Sequence, residues 1–312
     1  MNYEFRSGQE LCRLCREHSL PISEIMLRNE MEQSESPREM ILAEMRENLA
    51  VMRSSISAGL NVRNIPRGLI TGGDAIKLAA FAEKSNMGAS LARIVASSMA
   101  VVETNKAMGR IVAAPTAGAG GILPAVLIEC GGNQRGFDDD ALVQGLFTAG
   151  AIGCIVAENA SIAGASGGCQ AETGTAAAMS AGALAELCGA DPETVLHAAA
   201  IAIKNCLGLV CDPVAGLVEC PCIKRNAIGA VNAILSCDMA LAGITSLIPF
   251  DEVVEAMQGV SHLMSKELRE TAKGGLAATD TAKRITEDLK AGKIKPRDHR
   301  LGEAVDSKML KL

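Results

Sequence analysis

The sequence predicts an all-α protein, because its composition and its apolar spacing both favour helices over strands. Hydrophobic residues make up 48% of the 312 residues, whereas aromatic residues make up only 2%. The core volume must therefore come from Ala, Leu, Ile, Val and Met, and the small ones allow helices to pack closely. Apolar residues recur at helical spacing, and no alternating β-branched run exceeds a few positions. We expect a single large domain of packed, Ala/Gly-rich helices.

The first 58 residues are predicted to form a helical arm in front of the main domain, which spans residues 59–312. Pro37 suits the first turn of a helix that ends near Gly59, and the polar segment Asn29–Pro37 is predicted to be an exposed turn. Cys12 and Cys15 have the spacing of a redox pair. No strand precedes them, so we interpret them as thiols on an ordinary helix.

The main domain contains further segments with helix-start signals or helical apolar spacing. Asp191-Pro192 is a strong start, because Asp can cap a helix whose first residue is Pro. After Gly274-Gly275 the sequence becomes polar and Lys-rich, which predicts a surface tail. The predicted helices are Leu91–Ala107, Ile122–Cys130, Asp138–Ala157, Ala171–Cys188, Asp191–Leu207, Ile223–Ala242 and Val253–Leu268.

Three Gly-rich connections precede helix-like segments, at residues 71–74, 115–121 and 166–169. Each offers backbone N–H groups at a helix start together with a hydroxyl, and such groups can bind a carboxylate. None has the Lys-Ser/Thr pair of a phosphate loop. Each could also be an ordinary turn between helices. The candidate binding residues are Thr71, Gly72, Gly73, Thr116, Ala117, Gly118, Ser166 and Gly167.

The charge and cysteine content indicate a cytoplasmic protein that binds neither nucleic acid nor membrane. The formal net charge is −6, and no basic stripe interleaved with aromatic residues is present. The apolar runs 141–157 and 229–250 contain polar residues, so we interpret them as core helices. The N-terminus lacks the apolar region of a signal peptide, and eleven cysteines then suggest free or metal-bound thiols in a reducing compartment.

Cys169 and Cys222 lie directly beside Gly or Pro, and Cys211 lies two positions before Pro213, where helical patterns are interrupted. A thiol at a helix end has a fixed direction, can be stabilised as a thiolate by the helix dipole, and can then ligate a soft metal or an iron–sulfur cluster. The spacings match neither zinc-ribbon pairs nor the ferredoxin run, so spacing alone leaves an accidental trio open. Cys220 is separated from Cys222 only by Pro221, and we interpret it as a bystander.

Several blocks of the sequence resemble the α chain, or catalytic domain, of the iron–sulfur-dependent L-serine dehydratases. The resemblance is close over about residues 59–242 and looser at the ends. It implies an all-helical catalytic domain with a [4Fe–4S] cluster on Cys169, Cys211 and Cys222. The blocks are Leu69–Ala75, Ala114–Pro124, Ser166–Glu172, Gly208–Val214 and Pro221–Ala227.

The resemblance also implies an activity, the elimination of water from L-serine to give pyruvate and ammonia. Three cysteine ligands would leave one iron open as a Lewis acid for the serine hydroxyl. The Thr71–Gly73 and Thr116–Gly118 loops would hold the carboxylate of serine. A base must take the Cα proton, and the sequence leaves four candidates open, which are Glu172, Asp74, Lys106 and His197.

Two further expectations concern partners and alternatives. Single-chain members of this family carry an additional domain that the sequence lacks, which implies a separate β chain as partner. A related lyase that acts on L-cysteine remains open. So does a non-catalytic iron–sulfur or zinc protein, such as a redox sensor or a partner subunit.

Overall fold

The computed structural model describes residues 3–65 and 68–294, so the last part of the predicted polar tail lies outside the described residues. Within them no strand is present, and an isolated β-bridge joins Cys211 and Arg269. The prediction of an all-α fold is therefore confirmed. The helices of the first half are α1 Gly8–His18, α2 Ile22–Ser34, α3 Arg38–Gly59, α4 Asp74–Phe81, α5 Ala89–Lys106, α6 Ile122–Pro124 and α7 Asp139–Asn159.

The second half of the chain contains the short helix α8 and five longer helices. Side chains cap several of the described helices as the sequence predicts: Asp138 accepts a hydrogen bond from the Ala141 amide, and Asp191 accepts one from the Thr194 amide. These helices are α8 Gly164–Gly167, α9 Thr175–Leu187, α10 Pro192–Lys204, α11 Cys222–Leu241, α12 Phe250–Leu263 and α13 Asp280–Lys290.

Two helix boundaries differ from the predicted ones. The segment Asn29–Pro37 is not all turn, because α2 continues to Ser34 and keeps Asn29 buried. Packing against α7 thus stabilises a stretch whose polar composition suggests a turn. The helix predicted at Val253–Leu268 is α12, which begins after Pro249 and ends at Leu263, where Met264 is extended.

Helix α9 lies at the centre of the fold, where it packs against α7, α10 and α11. Most of its buried side chains are small, as the composition predicts, so the neighbouring helix axes can approach closely. A similar close approach joins α3 to α5, since a Cβ on Gly59 would overlap the Ala100 carbonyl. Larger side chains such as Phe147 and Leu184 fill the remaining volume.

The N-terminal arm is attached to the main domain through carboxylates that lie at helix starts. Asp251 accepts hydrogen bonds from the amides of Gly8 at 2.7 Å and Gln9 at 3.1 Å. Glu186 accepts one from the Ile22 amide at 2.8 Å and one from the Thr148 hydroxyl at 2.6 Å. A carboxylate at a helix N-terminus satisfies free amides and complements the dipole. Buried residues of the arm also belong to the main hydrophobic core.

Two segments are π-helical where the sequence predicts only helix. One covers Ala125–Gln134 directly after α6, and the other covers Gln170–Gly174 directly before α9. Hydrophobic periodicity does not distinguish such a segment from an α-helix. Short π-helical segments occur frequently at functional sites, and the second one carries Glu172.

Helix α7 is, among the described helices, the one that is long and apolar enough to cross a membrane, and 61% of its most apolar stretch is buried within the protein. It packs against α2, α3 and α9. The polar residue Gln144 and the Thr148 hydroxyl, which donates to Glu186, interrupt its apolar surface.

Candidate active site

The three cysteines predicted to act as ligands lie at the ends of different elements. Cys169 follows Gly168, whose φ of 75° favours glycine, and it precedes the π-helical segment Gln170–Gly174. Cys211 lies in a loop that is fixed by hydrogen bonds from its amide to the Leu268 carbonyl and from the Glu270 amide to its own carbonyl. Cys222 is the first residue of α11. Cys169 and Cys211 are buried, and Cys222 is partly buried.

The structure brings these three thiols together, because the charges of Cys169 and Cys222 act on Cys211, and the charge of Cys169 acts on Cys222. Burial and the charges of Cys169 and Glu172 together raise the pKa of Cys222 to about 12, against the opposing effect of Arg225. Burial, Glu172 and Cys169 raise the pKa of Cys211. Burial likewise raises the pKa of Cys169. Burial is therefore the largest influence on the pKa of all three free thiols, and a bound cation would be needed to stabilise three thiolates here.

The donor set fits an iron–sulfur cluster better than a single metal ion. Among the described residues, no group of three His, Cys, Asp or Glu side chains is arranged to hold one ion. A cluster needs a wider arrangement, because each thiolate binds a different iron. Gly164 permits close packing at this point, since a Cβ there would lie 3.0 Å from Cys211 Sγ. Soft, buried thiols without a competing disulfide are the ligands that such a cluster prefers.

Arg225 contacts several parts of the cluster formed by Cys169, Cys211 and Cys222, although it is not among the candidate residues predicted from the sequence. It donates to the Val210 carbonyl at 2.6 Å and to Asp212 Oδ1 at 2.8 Å. Its guanidinium also lies close enough to Cys169 to lower the pKa of that thiol against the larger effect of burial. A signal exists in the sequence, because a residue three positions after Cys222 lies on the same face of a helix.

Glu172 is the base candidate that lies within the cluster of the three candidate ligand cysteines. Its Oε1 accepts a hydrogen bond from the Thr116 hydroxyl at 2.6 Å, and its Oε2 lies 4.0 Å from Cys211 Sγ. Burial raises the pKa of this carboxyl, although the bond from Thr116 opposes the shift. Gly118 also lies against it, since a Cβ on Gly118 would be 3.1 Å from Glu172 Oε1. Glu172 therefore joins the loop at residues 115–121 to the cysteines.

The loop at Thr71 already holds a carboxylate of the chain itself. Glu219, which is 3% exposed, accepts hydrogen bonds from the amides of Leu69 at 2.8 Å, Ile70 at 3.1 Å and Thr71 at 2.8 Å. The Thr71 hydroxyl donates to the same carboxylate at 2.9 Å. Of the donors predicted in this loop, only the amides of Gly72 and Gly73 have no acceptor among the described residues.

The other two Gly-rich loops differ in whether their backbone amides already have hydrogen-bond acceptors. The amides of Ser166 and Gly167 both donate to the Ala163 carbonyl, so α8 uses them internally. By contrast, the amides of Thr116, Ala117 and Gly118 have no acceptor within residues 3–65 and 68–294. These three amides lie beside Glu172. Of the predicted donors, they are therefore the best placed to bind a ligand next to the three candidate ligand cysteines.

Lys106 lies beneath the Thr71 loop in a buried polar cluster. Its Nζ donates to the Thr71 hydroxyl at 2.8 Å and lies 3.9 Å from Glu103 Oε1. Burial lowers the pKa of Lys106 and raises the pKa of Glu103, because both charged forms are desolvated. Glu103 Oε2 is buried and has no hydrogen-bond partner among the described residues. No motif in the sequence marks Glu103 or Glu219 as a functional residue, and the same holds for Arg225.

The remaining candidate bases have other partners. Asp74, at the start of α4, forms ion pairs with Lys77 at 3.1 Å and with Lys224. Burial would raise the pKa of Asp74, but the hydrogen bonds from these lysines lower it overall. His197 accepts a hydrogen bond from the Ser246 amide at 3.3 Å, which places it against the loop after α11. Neither residue has a described contact with the three thiols.

The comparison with known proteins assigns the family. The sequence profile described as "Serine dehydratase alpha chain" matches residues 17–277, which is most of the chain. The match includes all three cysteines, Glu172 and Arg225. An all-helical chain with a buried group of thiols thus belongs to the serine dehydratase alpha chain family.

Individual relatives differ in how much of their length this chain covers. It is 47% identical over 296 residues to the probable L-serine dehydratase alpha chain of Bacillus subtilis, covering 94% of this chain and 98% of that one. It is 43% identical over 289 residues to the L-serine dehydratase alpha chain of Peptoniphilus asaccharolyticus, covering 92% and 99%. For the L-serine dehydratase of Streptomyces coelicolor, 44% identical over 285 residues, the coverage is 89% and 61%.

Proposed function

We propose that this chain is the catalytic subunit of an L-serine dehydratase, a lyase that converts L-serine to pyruvate and ammonia. The relatives named above carry that activity in their names. The observation that carries the proposal is the contact of Glu172 with both Cys211 and Thr116, because it joins an acid–base group, a thiol group and a loop with available amides.

Cys169, Cys211 and Cys222 are proposed to bind a [4Fe–4S] cluster. When bound by three cysteines, such a cluster supplies an open iron that acts as a Lewis acid toward the serine hydroxyl. The protein contributes the buried thiols and the guanidinium of Arg225. Its ion pair with Asp212, whose side chain is 3% exposed, fixes the loop on which Cys211 lies.

Glu172 is proposed to take the Cα proton of serine. The hydrogen bond from Thr116 fixes the orientation of its carboxylate, and burial raises its pKa toward the pH at which a general base is most effective. Loss of the Cα proton and of the hydroxyl leaves aminoacrylate. This product tautomerises to an imine, which adds water and releases ammonia and pyruvate.

The carboxylate of serine is proposed to bind the amides of Thr116, Ala117 and Gly118. These amides lack acceptors among the described residues and lie beside Glu172. Backbone amides that converge at a helix start favour an anion. The equivalent amide of Thr71 is already bonded to Glu219, so the Thr71 loop is better suited to support the site than to hold this carboxylate.

A separate β chain is the proposed partner, and the cytoplasm the proposed location. The chain covers nearly all of two relatives named alpha chain but only 61% of a relative named without that term. The term alpha chain implies a second, separate chain, which is proposed to assemble with this one. All eleven cysteines lie within the described residues and none is paired, which supports a reducing compartment.

The decisive experiment is anaerobic purification of the chain with and without the co-expressed β chain. We expect iron and acid-labile sulfide in both preparations and pyruvate formation from L-serine in the complex. L-Cysteine and L-threonine assayed in parallel test the alternative lyase activities. Cys169→Ala should remove iron and activity together, whereas Cys154→Ala, on the exposed side of α7, should change neither. Turnover of L-serine by an iron-free, oxygen-insensitive preparation would contradict the proposal.

A further inference from the structure

A second group of cysteines lies away from the candidate active site, around the guanidinium of Arg135. Cys130 belongs to the π-helical segment Ala125–Gln134, Cys188 follows the end of α9, and Cys237 lies near the end of α11. Arg135 Nη1 lies 3.5 Å from Cys188 Sγ. The same guanidinium acts on Cys130, and Cys237 lies close enough to Cys188 for each of these two thiols to shift the pKa of the other. Three thiols from three elements therefore meet at one cation.

The group and the candidate active site lie at opposite ends of the same two helices, α9 and α11. Helix α11 begins at Cys222 and carries Cys237 near its other end. At 1.5 Å per residue, this separation is on the order of 20 Å. Helix α9 begins shortly after Cys169 and is followed by Cys188. The two helices pack against each other, and they connect the two cysteine groups. The two groups have no residue in common.

The three thiols differ in their access to solvent. Cys237 is fully buried and Cys130 is 5% exposed, whereas Cys188 is partly exposed. A reagent from solution therefore reaches Cys188 first. Reaction there leaves Cys237, the residue with the largest influence on the pKa of Cys188, as the second thiol. This order, one accessible thiol backed by one buried thiol, is the arrangement of an attacking and a resolving cysteine.

The charges around Cys188 favour its reactive form. The interaction with Cys237 and the charge of Arg135 lower the pKa of Cys188 to about 7, against the opposing effects of burial and of Asp238, and the same interaction raises the pKa of Cys237. Asp238 Oδ1 lies 3.8 Å from Arg135 Nη2 and so shares the same guanidinium. Since the thiolate is the nucleophile, Cys188 is the thiol of this group prepared to react.

We propose that Cys188 and Cys237 form a reversible thiol–disulfide pair, a modification site whose reaction partner is a low-molecular-weight disulfide. The Cys188 thiolate attacks one sulfur of the small disulfide, whose S–S bond breaks and releases a thiolate. Cys237 then loses its proton to that thiolate and attacks the Cys188 sulfur, which expels the second small thiolate. The two cysteines are oxidised and the small disulfide is reduced to two thiols. The product links the ends of α9 and α11.

Peptide mapping tests this proposal on the intact, anaerobically reduced chain in complex with its partner. The protein is treated with glutathione disulfide, free thiols are blocked, and cleavage after Lys, Arg and Glu follows. Each relevant cysteine then lies alone in its peptide: Cys188 in residues 187–193, Cys237 in residues 226–252 and Cys154 in residues 136–158. The expected product joins the first two peptides. Absence of that link, or an equal yield of links to Cys154, overturns the proposal.

Two substitutions and one rate measurement assign the roles. In Cys237→Ser, Cys188 should stop at the mixed disulfide with glutathione, and in Cys188→Ser, Cys237 should stay unmodified. Modification of Cys237 in the second variant would overturn the assignment. In the unchanged protein, alkylation near neutral pH should be about fivefold or more faster at Cys188 than at Cys154, because the gain in thiolate exceeds the loss of nucleophilicity. Equal rates would also overturn it, whether or not the variants fold.

Discussion

Thr71 gives both its amide and its hydroxyl to Glu219, a residue 148 positions later in the chain, at 2.8 Å and 2.9 Å. The sequence predicts that this Gly-rich loop offers donors to a substrate carboxylate. In the structure a carboxylate of the chain satisfies three consecutive amides of the loop. The loop is therefore held against the segment that leads into Cys222, and its rigidity depends on a single side chain.

Glu219→Gln should lower the stability of the protein by about 1–3 kcal/mol, because a buried carboxylate that accepts four hydrogen bonds is replaced by an amide that must point N–H groups at N–H donors. Urea unfolding measures the change. The matched control is Glu44→Gln on the exposed face of α3, which should be neutral. An equally small effect of both substitutions would show that the loop does not depend on Glu219.

Glu172→Gln should reduce kcat for L-serine by about 10²–10⁴, the usual contribution of a general base. The amide oxygen still accepts the bond from Thr116, so the fold and the iron and sulfide content should be preserved. Pyruvate formation and iron analysis on the same preparation separate these effects. Glu255→Gln, exposed on α12, serves as the control. Full activity of the Glu172 variant would remove this residue from the proton transfer.

The buried Glu103 should make stability fall as the pH rises. Burial raises the folded-state pKa of Glu103 above the ordinary value of 4.5. At pH values between the unfolded-state and the folded-state pKa, the folded state therefore binds more protons than the unfolded state. Stability is then lost as the pH rises from the unfolded pKa through the folded one, by at most about 1.4 kcal/mol per pH unit.

The test of Glu103 is urea unfolding at a series of pH values from the ordinary carboxyl pKa of 4.5 upward. The stability of the unchanged protein minus that of Glu103→Gln should decrease across this range. The same difference for the exposed Glu255→Gln should stay flat. A Glu103 difference that increases with pH would contradict the stated direction of the pKa shift.

Gly59→Ala should destabilise the contact between α3 and α5 by about 1–3 kcal/mol. The added Cβ would overlap the Ala100 carbonyl, which belongs to backbone and moves only with its helix. Gly150→Ala is the matched control, because no atom lies within 4 Å of the Cβ position on α7. Since Ala is the better helix former, the control should be neutral or stabilising by up to about 1 kcal/mol. Thermal unfolding compares the two, and equal effects would contradict the close approach.

The sequence alone determined the class of fold and most helix starts. These depend on short-range patterns, such as the Asp191-Pro192 start and the apolar spacing of each helix, which are fixed by local sterics and capping. The motif blocks further indicated the family, which the profile over residues 17–277 establishes. Even so, four candidate bases remained open, and nothing separated the three Gly-rich loops.

Only the tertiary structure decided which of these groups share a site. It brought Glu172 to Thr116 and Cys211, directed Glu219 into the Thr71 loop, and placed His197 against Ser246. It also introduced the π-helical segment that carries Glu172. The physical reason is that these partners are far apart in the chain and are selected by the packing of small-residue helices. Such packing depends on the whole core, which no local pattern encodes.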